Sequence, residues 1–360
     1  MSIPTIVVLK GDQTGQELLE EGLRVIDPSV TGCDVQFEYF DLSLENRRAT
    51  NNAVVFEAAE RIKQTGYGIK AATITPEGKE DVGSPNALLR EAVNAQVILR
   101  TGRRIPSVAP RAGVYAPITV VRMAVEDAYG AKEWREGEGL DEVAYSTRKL
   151  TRRNCRAAAE YTFRHARRNH GKVFGGPKFT VSATYEGIFK EELDAAAARY
   201  PDVKYDPQLI DATYALLLKT SGDSLVIPAL NRDGDSLSDL VLEMFGSIAG
   251  AESVILSLDD QFEVKTVITE APHGTAPSLF GKNIANPMAM ILAGAALLRY
   301  LHTEKTDRAS RAIYEAALET VHDGVRTPDL GGQASTSEYT TEVIRQVKQK
   351  LDVWSALGGA

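Results

Sequence analysis

Short apolar runs rich in β-branched residues alternate along the 360-residue chain with longer segments whose apolar positions recur every three or four residues. That alternation predicts strands interleaved with amphipathic helices, an α/β fold. Residues 5–9 form the first run, and the stretch 11–17, with Gly11 and Gly15, turns it into a helix over 18–26. A helix over 54–65, a strand over 68–75 and a polar loop over 76–85 follow. Two short runs, 97–99 and 120–121, are each closed by an arginine, Arg100 and Arg122. Residues 132–146 are polar and carry Gly137 and Gly139, the composition of an exposed connection or hairpin. Beyond them the pattern predicts a helix ending near Tyr200 and others over 208–218, 288–300, 307–321 and 337–351, with strands over 253–256 and 265–269.

The clearest strand-to-helix passage lies between Ser224 and Leu242. Residues 224–230 are apolar and β-branched, 231–234 read as a turn, and a helix is predicted from Ser236 through Leu240, Val241 and Met244. In an open α/β sheet, ligands gather at the carboxyl ends of strands, beside such helix starts. Asp235 and Asp239 stand four apart and share one helix face, two hard oxygen donors of the kind Mg²⁺ or Mn²⁺ prefers. The plainer alternative is that one aspartate caps the helix while the others favour its positive end. A guanidinium fork matches a carboxylate, so arginines at strand ends near a carboxylate cluster point to a polyacid substrate. Lys178 follows Gly175-Gly176-Pro177 and is either an exposed lysine or a site acid/base. Asp211, near the start of another helix, is a third candidate carboxylate.

Composition narrows the classes. With 43% hydrophobic and 25% charged residues, this is an ordinary globular chain, long enough for two domains or for one unit with an inserted lobe. The net charge of −8 weighs against nucleic acid as principal partner. Basic residues do cluster between Thr147 and Lys172, but Cys155, Ala158, Ala159, Thr162, Phe163 and Ala166 form an apolar stripe there, leaving the cations on a solvated helix face. Two cysteines exclude a disulfide framework and a cysteine-based zinc site. No apolar run approaches the roughly 18 residues of a membrane span, and no basic leader opens the chain, so cytoplasm is the expected home, with no membrane partner. Neither a P-loop nor G-x-G-x-x-G occurs.

Three motifs together resemble one family, the β-decarboxylating dehydrogenases, which act on isocitrate, 3-isopropylmalate, homoisocitrate or tartrate. They are Asn231-x-x-Gly234-Asp235-x-x-Ser238-Asp239; His273-Gly274-Thr275-Ala276-Pro277 with Gly281-Lys282 and Asn286-Pro287; and Asp329-Leu-Gly-Gly332. The likeness spans nearly the whole chain. It implies the isocitrate/isopropylmalate dehydrogenase-like fold rather than a Rossmann fold. A three-layer α/β/α large domain would comprise residues 1–101 and 257–360, and a small domain, 102–256, would carry the metal site and the dimer interface. Members are usually homodimers whose active sites draw on both subunits.

Carried over by motif, the resemblance assigns Arg90, Arg100 and Arg122 to the 2-hydroxy-dicarboxylate portion of the substrate. Ser84 and Asn86 resemble the pair that isocitrate-type members set against the γ-carboxylate. Asp235 and Asp239, with the partner subunit's Asp211, would hold Mg²⁺ or Mn²⁺. The partner subunit's Lys178 would assist removal of the hydroxyl proton, and Tyr129 would protonate the enol. Thr75, the loop His273, Gly274, Thr275, Ala276 and Pro277, and Asn286 would cradle the dinucleotide. NADP-specific members carry Lys-Tyr where Ser278 and Leu279 stand here, which favours NAD over NADP. Three departures mark an unusual substrate or weakened catalysis: Arg122-Met123-Ala124-Val125-Glu126 lacks the family's Glu and Asn, Thr180 replaces an asparagine, and Gln13 replaces a glycine. The resemblance therefore implies metal-dependent oxidative decarboxylation of a 2-hydroxy di- or tricarboxylic acid. Isocitrate is the first expectation, with homoisocitrate, tartrate or another 3-substituted malate as alternatives. A non-catalytic, regulatory-type member is the reading from a different class, and retention of Tyr129, Lys178 and the three aspartates weighs against it.

Overall fold

The computed structural model describes residues 3–78, 81–219 and 222–358; residues 79 and 80 of the expected 76–85 loop lie outside them. The chain opens with β1 (Thr5–Lys10), α1 (Gln13–Ile26), α2 (Pro28–Thr31), β2 (Gln36–Asp41), α3 (Leu44–Ala49) and α4 (Ala53–Thr65). Next come β3 (Tyr67–Lys70), α5 (Pro85–Ala92), β4 (Val97–Gly102) and β5 (Ile118–Met123), then a hairpin of β6 (Asp127–Glu136) and β7 (Val143–Lys149). The middle continues through α6 (Arg152–Arg168), β8 (Lys172–Phe174), α7 (Gly187–Arg199), β9 (Tyr205–Asp206), α8 (Ile210–Leu217), β10 (Leu225–Ala229) and α9 (Asn231–Met244). It closes with β11 (Ser253–Leu258), β12 (Val264–Glu270), α10 (Met288–Arg299), α11 (Glu304–His322) and α12 (Thr336–Ala356).

Ten strands make one sheet in the order β2-β1-β3-β12-β11-β4-β5-β10-β8-β9. Its two ends are parallel, while the ladders β12/β11, β11/β4 and β4/β5 at its centre are antiparallel. Helices cover both faces, which is why the strands read as near-continuous apolar runs rather than alternating ones. In β1, Ile6 and Val8 join the core on one face and Val7 and Leu9 the core on the other. α10 is buried at every position from Met288 to Leu298, as its uniformly apolar sequence requires. The basic face of α6 is solvated as expected, with Arg152 and Arg156 reaching Glu192 of α7 at 2.9 and 2.8 Å. The 132–146 stretch is the expected hairpin, its exposed Trp134 and Tyr145 stacked at 4.9 Å. No helix among the described residues is long and apolar enough to cross a membrane.

One expected strand is shorter. The 68–75 stretch leaves the sheet after Lys70, which pairs with Glu270 at the end of β12. Side chains from elsewhere then claim the backbone. Ile74 N–H donates to Asp12 Oδ2 at 2.8 Å, and the fully buried Arg47 donates to the carbonyls of Ile74, Leu42 (3.1 Å) and Gly83 (3.2 Å). A guanidinium sealed in the core is stable only with such acceptors.

Candidate active site

The β4/β5 register places Arg100 opposite Val120 and Arg122 opposite Ile98, so both arginines project from the same face of the sheet. α9 packs across that face. A Cβ added to Gly234 would stand 2.8 Å from both Cβ and Cγ of Arg122, so only glycine lets the helix lie this close. Gly234→Ala is therefore expected to push Arg122 out of line. It should raise KM for the substrate at least about tenfold while thermal stability falls modestly, as initial rates and a melting curve would show.

The expected turn at 231–234 is instead the first turn of α9. Asn231 and Asp127 explain the difference. Buried Asn231 accepts from Arg122 Nε at 2.9 Å and donates to the Glu126 carbonyl at 3.2 Å. Asp127, at the foot of the hairpin, accepts from Arg232 N–H at 2.9 Å and from Tyr185 OH at 3.0 Å. A carboxylate from β6 thus satisfies an amide at the positive end of α9. Neither Asp235 nor Asp239 caps α9, while Asp233 stands in its first turn, where a carboxylate favours the helix dipole.

Those two aspartates meet the arginines directly. Asp235 accepts from Arg122 Nη1 through one oxygen and from Tyr129 OH through the other, the latter at 2.5 Å. Arg100 Nη1 lies 3.5 Å from Asp235, 3.1 Å from Asp239 and 3.0 Å from Ser238 Oγ. The Tyr129 ring sits between two guanidiniums, 5.5 Å from Arg90 and 5.1 Å from Arg122. Burial, reinforced by the bond to Asp235, pushes the Tyr129 phenol up, so it holds its proton at neutral pH. Burial lowers Arg122 to about 10 against the pull of Asp235, leaving it charged at neutral pH. Burial also raises the Asp239 carboxyl. Beneath lies an ion pair that sequence reasoning missed, Lys70 with Glu270 at 3.3 Å. Burial alone would raise the Glu270 carboxyl, but Lys70, Arg100 and Arg90 hold it below its ordinary value.

Several of the expected substrate and cofactor residues keep polar atoms with no partner among the described residues. Arg90 is buried and braced by its Nε bond to the Asn86 carbonyl at 3.1 Å. Ser84 stands at the N-cap of α5 yet its hydroxyl makes no cap bond. Asn86 Oδ1, Arg100 Nε and His273 Nε2 are buried without a partner among the described residues, the condition of groups that a polar ligand satisfies. The 273–277 loop is tied to α1: Thr14 Oγ1 donates to the Ala276 carbonyl at 2.8 Å, and Glu17 accepts from Gly281 N–H at 2.9 Å. Ala276 sits at φ 43°, a left-handed backbone for a non-glycine residue. Asn286 donates to Asp329 at 3.0 Å and accepts from Met288 N–H, joining two of the sequence motifs at the start of α10. Burial lowers His273, keeping its ring neutral. Thr75 is exposed on the loop that Arg47 and Asp12 secure.

Lys178 and Asp211 form a separate pair, Nζ to Oδ2 2.5 Å, and the bond to Lys178 lowers the exposed Asp211 carboxyl. Among the described residues, no hydrogen bond or ion pair joins this pair to Tyr129, Asp235 or Asp239. The described residues likewise bring no three His, Cys, Asp or Glu side chains together as one metal-binding group. Asp235 and Asp239 supply two hard carboxylate donors one helical turn apart, the donor type Mg²⁺ or Mn²⁺ prefers, and in this structure their oxygens are engaged by Arg122, Tyr129 and Arg100.

The isocitrate/isopropylmalate dehydrogenase family model matches residues 5–344. Isocitrate dehydrogenase (NAD) catalytic subunit 5, mitochondrial, of Arabidopsis thaliana is 30% identical over 344 residues, covering 94% of this chain and 87% of that protein. The 3-isopropylmalate dehydrogenase of Methanothermobacter thermautotrophicus is 29% identical over 344 residues, covering 95% and 98%. The crystal structure of isocitrate dehydrogenase from Methylococcus capsulatus superposes with a TM-score of 0.85 at 25% identity, covering 96% of this chain and all of that one.

Proposed function

The chain belongs to the isocitrate/isopropylmalate dehydrogenase family of metal-dependent NAD(P) β-decarboxylating dehydrogenases, and we propose that it oxidises and decarboxylates a 2-hydroxy di- or tricarboxylic acid, isocitrate first. The observation that carries this reading is the convergence of Arg100 and Arg122 on Asp235, with Tyr129 donating to the same carboxylate. The guanidiniums of Arg90, Arg100 and Arg122 bind the substrate carboxylates, and the free Ser84 hydroxyl with Asn86 suits a further carboxylate on the substrate's variable arm. Asp235 and Asp239 hold the divalent cation, with the partner subunit's Asp211. When bound, the cation supplies a Lewis acid and NAD a hydride acceptor. The partner subunit's Lys178 takes the hydroxyl proton, and Tyr129 returns a proton to the enol carbon after CO₂ leaves.

Pairing of Lys178 with Asp211 away from Tyr129, Asp235 and Asp239 supports a homodimer with shared sites. Ser278 and Leu279 bring no cation to the end of the 273–277 loop, which supports NAD over NADP. This reading also keeps the two lobes at 1–101 plus 257–360 and at 102–256, with the sheet running unbroken between them, and a reducing cytoplasm suits the free, buried Cys33 and Cys155. The test is the absorbance of reduced nicotinamide on mixing protein, Mn²⁺, NAD or NADP and a panel of 2-hydroxy diacids. A rate with isocitrate that chelator abolishes is expected. Turnover of a different acid would replace the substrate, and silence across the panel would favour the non-catalytic reading.

A further inference from the structure

The strands that carry Arg100 and Arg122 have a second, unclaimed face. Leu99, Thr101 and Thr119 alternate with the site residues, so they point away from α9 into a cavity of about 550 Å³ beneath α6 and α10. Its walls are aromatic. Tyr161 and His165 on α6 lie with ring centroids 6.1 Å apart, and Tyr300 and His302 past α10 lie 6.4 Å apart. At the mouth stand Arg168 and Arg299, each in the last turn of its helix.

A cation in the last turn of a helix often does no more than complement the helix dipole. Two further observations exceed that account. Both guanidiniums line the same cavity as the half-buried His165 ring, which burial, then Arg168 and Arg299, push down to about 4. Among the described residues, neither arginine side chain has a carboxylate or carbonyl partner. Arg103, which also lines the cavity, is neutralised by Glu252 at 2.6 and 2.9 Å, so the uncompensated charge sits at the mouth. An aromatic slot closed by two free guanidiniums recognises a flat ring that ends in an anion.

We propose that this cavity binds a small planar aromatic anion, its ring against Tyr161, His165 and Tyr300 and its carboxylate or phosphate between Arg168 and Arg299. The proposal goes beyond the dehydrogenase reading and does not depend on it. Its ligand would bridge α6 and α10, on the side of the sheet away from Asp235.

Calorimetric titration of the full chain with naphthyl phosphate and with naphthoate tests it, the pair separating the two head groups. One of them is expected to bind in the micromolar range, with uncharged naphthol and ring-free inorganic phosphate each weaker by at least about tenfold. Arg168→Ser with Arg299→Ser, both at exposed positions, should weaken that binding by about tenfold or more. Ala296→Trp should abolish it by filling the slot, and Arg122→Ala should leave it unchanged. If Ala296→Trp does not fold, the exposed double variant still decides. Failure of both anions to bind at millimolar concentration would overturn the proposal. So would naphthol or inorganic phosphate binding equally well, or loss of binding in Arg122→Ala but not in the double serine variant.

Discussion

Asp235→Asn is expected to cut turnover of the identified substrate by about a thousandfold while leaving the fold intact, because metal and general-acid contributions of this size depend on one carboxylate. Asp235 receives Arg122 on one oxygen and Tyr129 on the other, and Arg100 approaches to 3.5 Å. Asparagine keeps the shape but presents a single acceptor oxygen and no charge. Tyr129 then loses its charged partner or Arg122 does, and two guanidiniums face each other with less negative charge between them. Stability should change little, since the Asp235 side chain is 36% exposed and water screens the lost attraction. The measurements are kcat with Mn²⁺, metal affinity by titration, and a melting curve. An unchanged metal requirement together with unchanged metal affinity would remove Asp235 from the metal site. The shared-site reading adds a second expectation. Asp235→Asn chains mixed with Lys178→Ala chains and allowed to re-pair should recover about a quarter of wild-type activity, because half the dimers are mixed and each holds one intact site. No recovery would place Lys178 and Asp235 of the same chain together.

Local pattern made much of this legible. Strands and helices emerged where periodicity was strong, and Asp235 and Asp239 do share a face of one helix, as spacing four on a helix demands. Three element boundaries differ from the pattern: α1 already begins at Gln13, inside the expected 11–17 turn, and the other two share one cause. Residues 231–234 look like a turn because Asn, Asp and Gly favour turns, yet Asp127 and Arg122 supply from 105 and 109 residues away the bonds that hold the segment helical. The 68–75 stretch looks like a longer strand, yet Asp12 and Arg47 capture Ile74 from 62 and 27 residues away. Bonds of that reach leave no mark on a window of neighbouring residues. The missed Lys70–Glu270 pair has the same character, because two residues 200 apart meet only through the β3/β12 ladder. One departure from the family pattern leaves a mark on the backbone: Gln13 occupies a left-handed conformation at φ 52°, where a glycine is the ordinary choice.

Removing Glu252 is expected to have the largest effect on stability. Its side chain is 8% exposed, and its two oxygens accept from Arg103 Nη1 and Nη2 at 2.6 and 2.9 Å, with Tyr314 OH adding a third bond at 2.7 Å. Burial would raise this carboxyl, but Arg103 pulls it below its ordinary value and is itself raised in return. Glu252→Ala leaves a guanidinium and a phenol buried without an acceptor, a loss of about 3–5 kcal/mol for breaking such a pair from one side. Arg103→Met with Glu252→Leu removes both charges and keeps the volume, so the double variant should unfold at a denaturant concentration much closer to wild type. pH supplies a check of sign. A carboxyl held below its unfolded value contributes stability at neutral pH that is lost as pH falls below the ordinary glutamate range. Wild type should therefore lose stability on acidification more steeply than the double variant, as urea midpoints across pH 3 to 7 would show. If Glu252→Ala and the double variant lose equal stability, the pair is not coupled and Arg103 has found another partner. The pair joins the chain just after β4 to the residue immediately before β11, so it also holds the strand from which Arg100 projects. On the proposed reading, in which Arg100 binds substrate while Tyr129 and Asp235 keep their own contacts, a loosened Arg103–Glu252 contact should then appear as a raised KM with kcat nearly unchanged.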